Sequence, residues 1–394
     1  MIKSAAKERV DVVIVGAGVI GASVAYHLAK RGAGSILVVE KESSPGRGST
    51  RRATGGYRAQ YSSEINVRLS LLARDALLRF SKETGIDPGY RPVGYLWIAS
   101  SPEEYDDLIR AQSIQRNAGL EESFIFDPQQ VLEKNPFVDP QGIVGGAFCQ
   151  TDGFIRPLDI LRGYLESALR LGVRFMFDTT ISSFNRTSTG HIHTLFSENG
   201  LTIETRAVVD AAGAWAQNIS QLAGINLPVV PLRRQVALTE PCSLLPDDMP
   251  LTIFMSDGFH LRVRDGRVML LRPTPGHSDD PFDTRVETTW LDETLAIAKR
   301  RIPCLAHVRI DPELCWAGLY EMSPDKHALL GPAPGCPNLY FVNGSSGHGV
   351  MHSPALGLLL AEMIVDGNAS SLDVSSLRPT RFAEGKPIVC SDRL

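Results

Sequence analysis

Cysteines are few in this sequence, and none are paired at a spacing typical of a metal centre. The six cysteines are scattered over 394 residues without a CxxC motif, so neither a zinc nor an iron–sulfur site is expected. Scattered thiols are typical of a reducing compartment. The N-terminal segment MIKSAAKERV is too short and too polar for a secretory signal. We therefore predict a cytoplasmic protein that holds no metal.

Long apolar runs and an excess of one charge are also missing. The longest apolar candidate, 356–365, is interrupted by Gly357 and Glu362, whereas a membrane span needs about 18 to 20 apolar residues. The 40 basic and 44 acidic residues give a net charge of −4, which predicts no binding to nucleic acid or to an anionic membrane. Neither a P-loop nor a nucleophile elbow occurs, so kinase and hydrolase functions lack support. The remaining class is a globular protein that acts on a small molecule.

A glycine pattern lies near the N-terminus, between an apolar β-branched strand and an apolar helix. Gly16, Gly18 and Gly21 follow the GxGxxG spacing, and a second apolar strand ends at Glu40. This βαβ context indicates dinucleotide binding, in which the glycines admit a pyrophosphate at the N-terminus of the helix. The carboxylate of Glu40 would hold both hydroxyls of the adenosine ribose and repel the 2′-phosphate of NADP. The motif itself leaves NAD and FAD open.

The segment that follows separates NAD from FAD. Residues 44–58 are small, polar and rich in glycine rather than the third strand of a nicotinamide fold. Here the chain resembles the D-amino-acid-oxidase-like family of FAD-dependent oxidoreductases, in which such a loop carries Ser or Thr to the pyrophosphate and then runs beneath the flavin. Residues 209–215 look like the family's second nucleotide motif, and 344–351 like its C-terminal loop that meets the flavin. The resemblance covers most of the chain and implies FAD.

The resemblance further implies that FAD is bound non-covalently. Monomeric sarcosine oxidase attaches its flavin through a cysteine where this chain has Gly318, and Cys315 lies three residues too early. Dimethylglycine-dehydrogenase-like enzymes use a histidine where this chain has Arg52. The residues expected to contact FAD are Gly16, Gly18, Val19, Ile20, Gly21, Glu40, Lys41, Ser49, Thr50, Thr54, Gly55, Gly56, Ile181, Ala212, Gly213, Trp215, Gly318, Gly347, His348, Gly349, Val350 and Met351.

The order of apolar runs predicts an α/β (α+β) fold with two domains. Strands followed by glycine-bearing turns recur near 11–15, 208–209 and 339–342, with alternating strand patterns and amphipathic helices between them. We expect a Rossmann-like FAD/NAD(P)-binding domain of the glutathione-reductase-2 type, with an inserted, mostly antiparallel substrate domain. The predicted bounds are 9–85, 150–225 and 308–385 for the FAD-binding domain, and 86–149 and 226–307 for the substrate domain.

Three side chains are candidates for the substrate pocket. Tyr320 stands where D-amino-acid and glycine oxidases place an arginine, so the resemblance favours the sarcosine oxidase and proline dehydrogenase β-subunit branch. In that branch an arginine matching Arg58 binds the substrate carboxylate, which Arg can do through two parallel hydrogen bonds. Tyr320 would close the pocket. Arg262, on a predicted hairpin that turns at Asp265-Gly266, would lie over the flavin.

The C-terminal loop carries a fourth candidate, His348. Ser353 and Pro354 predict a helix start, with Ser as the cap and Pro in the first turn. The partial positive charge of that helix N-terminus, together with His348, would stabilise the negative charge of a reduced flavin.

These residues predict an FAD-dependent oxidoreductase that oxidises the C–N bond of an amino acid or secondary amine, similar to sarcosine, proline or glycine. Hydride would pass to flavin N5, and oxygen, a quinone or a partner subunit would reoxidise the flavin, the last of these in a hetero-oligomer. The alternative is an FAD-binding subunit or assembly factor that needs a partner chain and has little activity alone. A nicotinamide dehydrogenase is opposed by Ser49-Thr50 and by the 344–349 motif.

Overall fold

The computed structural model describes residues 7–274 and 279–390, which form four β-sheets and the helices around them. The strands, in chain order, are β1 (Lys7–Arg9), β2 (Val12–Val15), β3 (Ile36–Val39), β4 (Gly56–Tyr57), β5 (Tyr95–Ala99), β6 (Ser123–Phe126), β7 (Gly145–Cys149), β8 (Gly153–Phe154), β9 (Arg174–Met176), β10 (Ile181–Arg186), β11 (Ile192–Ser197), β12 (Thr202–Glu204), β13 (Ala207–Asp210), β14 (Val230–Leu238), β15 (Leu251–Phe254), β16 (His260–Arg264), β17 (Arg267–Leu271), β18 (Trp316–Met322), β19 (Leu329–Ala333) and β20 (Cys336–Asn343). The α-helices are α1 (Val19–Lys30), α2 (Ser49–Arg52), α3 (Glu64–Thr84), α4 (Pro102–Asn117), α5 (Pro128–Lys134), α6 (Pro157–Arg170), α7 (Ala216–Leu222), α8 (Thr288–Arg301) and α9 (Gly349–Val365).

A six-stranded sheet holds the nucleotide-binding elements. Its order is β19-β20-β13-β2-β3-β9, and every neighbouring pair is parallel except β19 with β20. All four residues of β2 are buried, as expected for a parallel strand covered on both faces. The three strands that precede glycine-bearing turns, β2, β13 and β20, are neighbours in this sheet although they are far apart in the chain. Their carboxyl ends therefore meet at one edge.

An eight-stranded sheet forms the second body of the fold. Its order is β18-β14-β17-β16-β15-β5-β7-β6, and only β15 with β5 is parallel. Strands from both inserted segments combine here, so the predicted α/β fold with a mostly antiparallel insertion is confirmed. The predicted hairpin is also confirmed, because Asp265 and Gly266 have φ values of +54° and +68° between β16 and β17. By strand pairing, β18 goes with this sheet rather than with the 308–385 segment assigned to the other domain; the two-domain division itself stays a prediction.

The start of the C-terminal helix differs from the prediction. Helix α9 begins at Gly349, not at Ser353-Pro354, and Pro354 lies inside the helix. Proline has no N–H to donate to the carbonyl of Val350 four residues earlier. The Ser353 hydroxyl takes that place, since its Oγ donates to the Val350 carbonyl at 2.8 Å. The Ser-Pro pair therefore lies inside the helix, where the serine hydroxyl replaces the missing proline N–H, and does not mark the start of the helix.

Helices α1 and α9 pack closely at a small-residue crossing. A Cβ built on Gly357 of α9 would lie 2.1 Å from Ser23 Oγ of α1, so only glycine permits this approach. The Ser23 hydroxyl donates to the Ser353 carbonyl at 2.8 Å. Because α1 follows the N-terminal glycine turn and α9 follows the C-terminal loop, this crossing places both loops beside each other. No helix of the described ranges has the length and apolar character required to cross a membrane.

Candidate active site

The N-terminal glycine turn is closely packed at Gly16 and Gly21 but not at Gly18. Gly16 has a φ of +109°, and a Cβ there would lie 2.5 Å from the Ala211 carbonyl. A Cβ on Gly21 would lie 2.0 Å from the Gly16 carbonyl. Gly18 differs, because the nearest atom to its Cβ position is Thr50 Oγ1 at 3.4 Å. Gly16 and Gly21 are thus required by the fold itself, whereas a methyl group on Gly18 would make only an ordinary contact with Thr50.

Side chains from two other segments hold this turn in place. The carboxylate of Glu40 accepts hydrogen bonds from the backbone N–H groups of Ala17 at 2.8 Å and Glu42 at 3.0 Å. Thr50 Oγ1 accepts the N–H of Val19 at 3.1 Å, at the first turn of α1. Ile20 follows in the same turn. The predicted residues at this end therefore converge in space.

Lys41 and Trp215 form a stack beyond Glu40. The Lys41 ammonium lies 3.4 Å from the centre of the Trp215 ring, and burial lowers the pKa of Lys41. On Trp215 stacks Phe282, with ring centres 5.3 Å apart. Ala212 and Gly213 form the turn before Trp215, and the Ala212 N–H donates to Asp210 Oδ1 at 3.0 Å. Ile181 is buried at the start of β10 in the apolar core behind β2 and β3, against which Ala212 also packs, and its contact with FAD stays a prediction.

The polar segment after Glu40 contains a one-turn helix, α2, attached to β18. The Ser49 hydroxyl donates to the Leu319 carbonyl at 2.7 Å, and Arg52 Nη1 donates to the Ala317 carbonyl at 2.5 Å. A Cβ on Gly318 would lie 3.0 Å from the Cβ of Arg52. The half-buried thiol of Cys315 contacts the backbone of Leu238 instead. Gly318 and Arg52, the two positions where the resemblance would place a covalent bond to the flavin, therefore carry no nucleophilic side chain.

Arg262 supports the loop rather than lining the cavity described below. Its Nη1 donates to the carbonyls of Thr54 at 2.9 Å and Gly55 at 3.1 Å, and its guanidinium lies 3.4 Å from the centre of the Phe154 ring. The side chain is 5% exposed, and burial lowers its pKa to about 10. Gly56, the next residue, pairs with Phe154. A role of Arg262 over the flavin stays a prediction.

Arg58 lies in a cavity of about 210 Å³ at the meeting point of the two bodies. Its guanidinium stacks on Tyr61, with 4.0 Å to the ring centre, and lies 5.1 Å from that of Trp97. Nη1 donates to the Gln60 carbonyl at 2.7 Å, and Nη2 lies 3.3 Å from Nε2 of His348. The residues lining this cavity are Arg58, Tyr61, Ser62, Ser63, Asn66, Trp97, Arg234, Tyr320, Met322, Lys326, His327, Ser346, His348 and Cys390.

The contact with Arg58 sets the hydrogen position on His348. Guanidinium nitrogens only donate, so Nε2 accepts and the ring proton resides on Nδ1. Burial and the nearby Arg58 charge hold the pKa of His348 well below its ordinary value. The imidazole is therefore neutral at physiological pH.

The C-terminal loop packs against Tyr320. Gly347 has a φ of +95°, and a Cβ there would lie 2.4 Å from the Tyr320 ring. Burial raises the pKa of Tyr320, so its hydroxyl stays protonated. In α9, half-buried Val350 precedes Met351. The Met351 Sδ accepts a hydrogen bond from the backbone N–H of Arg58 at 3.4 Å. The structure thus brings Arg58, Tyr320 and His348 together.

Sequence analysis missed several side chains of this site: Tyr61, Trp97, Arg234, Glu321 and Asp152. Asp152 is buried and accepts hydrogen bonds from Ala59 N–H at 2.7 Å and the Gln60 amide at 3.0 Å, which positions the residues beside Arg58. The sequence gives an indication for Arg234 and Glu321, because charged residues are rarely buried in a strand unless they are paired or functional. It gives none for Trp97. Among the described residues, no group of three or more His, Cys, Asp or Glu is arranged to hold a metal ion.

Comparison with known proteins identifies the family. The model of the DAO family, described as "FAD dependent oxidoreductase", matches residues 11–363. The chain belongs to the DAO family. This DAO-family chain is 30% identical, over 97% of its length, to FAD-dependent oxidoreductase domain-containing protein 1 of Xenopus laevis and covers 84% of that protein.

Two solved structures share the fold of the DAO-family chain along its length. L-proline dehydrogenase from P. horikoshii is 28% identical with a TM-score of 0.87, and the match covers 97% of this chain and 100% of that one. Glycine oxidase from Geobacillus kaustophilus is 27% identical with a TM-score of 0.82, covering 95% and 99%. The family resemblance is confirmed, and FAD is the cofactor of this chain.

The side chains present fit FAD. Glu321 is 8% exposed, and its Oε2 has no hydrogen-bond partner within the described ranges. Cβ positions on Gly213 and Gly349 would lie 3.8 Å from Oε2 and 3.6 Å from Oε1 of this carboxylate. Because FAD carries hydroxyl groups between its ring and its phosphates, an unpaired carboxylate oxygen beside two glycines has suitable donors there.

Gly18→Ala tests the pyrophosphate assignment. The added methyl meets only ordinary contacts within the protein, so the free energy of unfolding without FAD should change by less than about 1 kcal/mol. The same methyl occupies the face offered to the pyrophosphate, and FAD affinity should fall at least tenfold. Equilibrium titration of FAD-free protein with FAD measures the second effect. Unaltered FAD affinity would remove Gly18 from the cofactor site.

Glu321→Gln should change the pH dependence of stability. Burial raises the pKa of Glu321 to about 7, above its ordinary value of 4.5. The folded state therefore holds this proton more tightly than the unfolded state, and stability falls as pH rises from about 4.5 to 7. Glutamine does not titrate, so the variant lacks this loss. Between pH 5 and pH 8 the wild type should therefore lose about 1–3 kcal/mol more free energy of unfolding than the variant. Urea unfolding of the FAD-free proteins measures the difference; parallel pH profiles would contradict it.

Proposed function

We propose that this DAO-family chain oxidises the C–N bond of a small amino acid, with a primary or secondary amine, using non-covalently bound FAD. The observation that carries the proposal is Arg58, a cavity-lining guanidinium that forms no ion pair with any Asp or Glu of the described residues. It lies beside His348 of the loop that the family resemblance assigns to the flavin. FAD, when bound, accepts a hydride at N5 from the carbon next to the amine nitrogen.

Arg58 is suited to bind the substrate carboxylate. Among the described residues, Gln60 and His348 engage two of its five N–H donors. The ring of Tyr61 fixes the plane of the guanidinium, so that the remaining donors keep one orientation. A carboxylate accepts two parallel hydrogen bonds from such a group, which orients the carbon that bears the hydrogen to be transferred.

The other side chains favour a substrate whose amine binds in its neutral form. His348 is neutral and its Nε2 is engaged, while the Tyr320 hydroxyl remains protonated. No strong base is therefore needed or present among these groups. In the reaction the C–H bond breaks with its electron pair leaving as hydride, the nitrogen lone pair forms a C=N bond, and a proton leaves the nitrogen to water. Water then hydrolyses an acyclic imine.

The names of the relatives support a small amino acid. Two of the matched structures are an L-proline dehydrogenase and a glycine oxidase. The cavity of about 210 Å³ agrees with this class, because pockets for drug-sized ligands measure roughly 300–1,000 Å³. Sarcosine and proline are the first monocarboxylic candidates. The cytoplasmic location and the electron acceptor stay predictions.

Anaerobic titration of the purified protein with sarcosine, proline, glycine, hydroxyproline and pipecolate tests the proposal. A flavin absorption band that bleaches with one of these amines would support an amino acid oxidoreductase. A protein that retains FAD but is bleached neither by these amines nor by N-methylaspartate or N-methylglutamate would favour the alternative, a subunit or assembly factor that needs a partner chain. Acid denaturation should release all the flavin into solution; flavin that remains with the precipitate would contradict non-covalent binding.

A further inference from the structure

A second guanidinium, that of Arg234, lines the same cavity as Arg58. Arg234 lies on β14 opposite Gly318 of β18, and its guanidinium is 5.6 Å from the centre of the Tyr320 ring. The contact that Arg234 makes as a donor is a 3.3 Å hydrogen bond to the carbonyl of Arg233. Within residues 7–274 and 279–390 no carboxylate forms an ion pair with it.

The adjacent arginine, Arg233, has acidic partners from another segment of the chain. Arg233 points to the other side of β14, where it pairs with Asp283 at 3.3 Å and with Glu287. Arg234 has neither, although burial lowers the pKa of its guanidinium. A half-buried cation without a counter-ion among the described residues is partly desolvated, and an anion from outside would complete the site.

Among the described residues that line the cavity, two are arginines, Arg58 and Arg234, and none is Asp or Glu. Tyr320 lies within electrostatic reach of both arginines. One carboxylate can accept two parallel hydrogen bonds from one guanidinium. A substrate with a single carboxylate would therefore leave the second guanidinium without a negatively charged partner.

We propose that the substrate carries two acidic groups, so that Arg58 binds the carboxylate next to the amine and Arg234 binds the second. This inference rests on the proposed function and narrows its substrate class to small dicarboxylic amino acids or amines of equivalent charge. The bond changes are those of the amine oxidation above, and the second carboxylate takes no part in them. Arg234 acts by binding and selecting the substrate.

Matched substrate pairs test the inference in the FAD-loaded protein. N-methylalanine and N-methylaspartate differ by one carboxylate, as do N-methyl-2-aminobutyrate and N-methylglutamate. The rate of anaerobic flavin bleaching at several concentrations gives kcat/KM for each. The wild type should prefer the dicarboxylic member by on the order of 100-fold, since the second charge pair is made only with that member.

Variants at position 234 identify the residue responsible. Arg234→Met should lower the ratio of kcat/KM for the dicarboxylic over the monocarboxylic substrate by about 100-fold, and Arg234→Lys by about tenfold because it keeps the charge. Arg264→Met is the matched control, since Arg264 is a partly buried arginine on β16 of the same sheet and does not line the cavity. The control should keep the wild-type ratio.

Three results would overturn the inference: a wild-type ratio near one, a ratio that Arg234→Met leaves intact, or equal losses for both substrates, which would mean that both arginines bind one carboxylate. If Arg234→Met does not fold, the wild-type ratio and Arg234→Lys still decide. If no amine bleaches the flavin, the proposed function fails separately. Spectral titration of the oxidised flavin with succinate against propionate then tests the two-anion site, and equal dissociation constants would refute it.

Discussion

Replacing Arg58 with methionine should raise the KM for the amino acid substrate about 100-fold, because one side of a charge-assisted pair in a desolvated site is lost. Methionine keeps most of the length of the side chain, and its thioether can still pack on Tyr61. The half-saturating substrate concentration in anaerobic bleaching measures the effect. We expect FAD to be retained, since the contacts of Glu40, Thr50 and Ser49 with the cofactor segments remain.

Two further variants make the result specific. Arg58→Lys keeps the charge and loses the two-pronged geometry, so its KM should lie between those of the wild type and Arg58→Met. Arg47 is an exposed arginine of the same polar segment, bonded to the Ser43 hydroxyl. Arg47→Met should have the wild-type KM. An unchanged KM in Arg58→Met would place the carboxylate elsewhere.

Replacing Arg381 with methionine should lower the free energy of unfolding by about 3–5 kcal/mol, which is typical when one partner of a buried ion pair is removed. Arg381 is 0% exposed and donates to both oxygens of Asp325 at 2.8 Å. It also donates to the carbonyls of His327, Ala328 and Leu377. The variant leaves a buried carboxylate and three carbonyls short of donors. Urea unfolding of the FAD-loaded protein measures the loss.

The neighbouring exposed pair provides the control. Arg378 binds Glu384 at the surface of the same segment, and Arg378→Met should cost less than about 1 kcal/mol. The double variant Asp325→Asn with Arg381→Met should recover part of the loss, because no unpaired charge remains. Equal effects of Arg381→Met and Arg378→Met would contradict the argument from burial.

Acid should weaken this pair. Burial by itself would raise the pKa of Asp325, but hydrogen bonds from Arg381 and from Ile388 N–H lower the pKa on balance. The pair therefore contributes stability above the ordinary pKa of 3.8, and that stability is lost as pH falls below it. The pair joins the C-terminal segment to Asp325, two residues from His327 of the cavity.

Local patterns predicted the nucleotide-binding elements because their causes are local. The βαβ unit follows from apolar strands and from the turn at Gly16, whose left-handed φ needs glycine. The hairpin at Asp265 follows from turn chemistry in the same way. The predicted start of α9 is wrong because a Ser-Pro pair can either open a helix or lie inside one. Here Pro354 leaves the Val350 carbonyl without a backbone donor, and the Ser353 hydroxyl bonds to it instead.

The substrate cavity was less predictable because its side chains meet across strands that are distant in the chain. Alternation placed Arg262 on one face of β16 but could not reveal that the Thr54 and Gly55 carbonyls lie against that face. Trp97 and Arg234 enter the cavity from β5 and β14, whose positions depend on the order of the whole sheet. The alternation of side chains predicts which residues share a face of a strand. It does not predict which other elements pack against that face, because this depends on the order of the strands in the sheet.

The crossing of α1 and α9 has a consequence for how the protein is made. The Ser23–Ser353 contact joins residues 330 positions apart, and α9 is synthesised after α1 to α8. Contacts of such separation form late, after the loop between them has been closed. The first βαβ unit can therefore form on the ribosome before α9 exists, whereas the C-terminal loop cannot take its place until α9 has been made. We therefore expect FAD to bind only after α9 has been synthesised, and chains truncated before α9 to emerge from translation colourless.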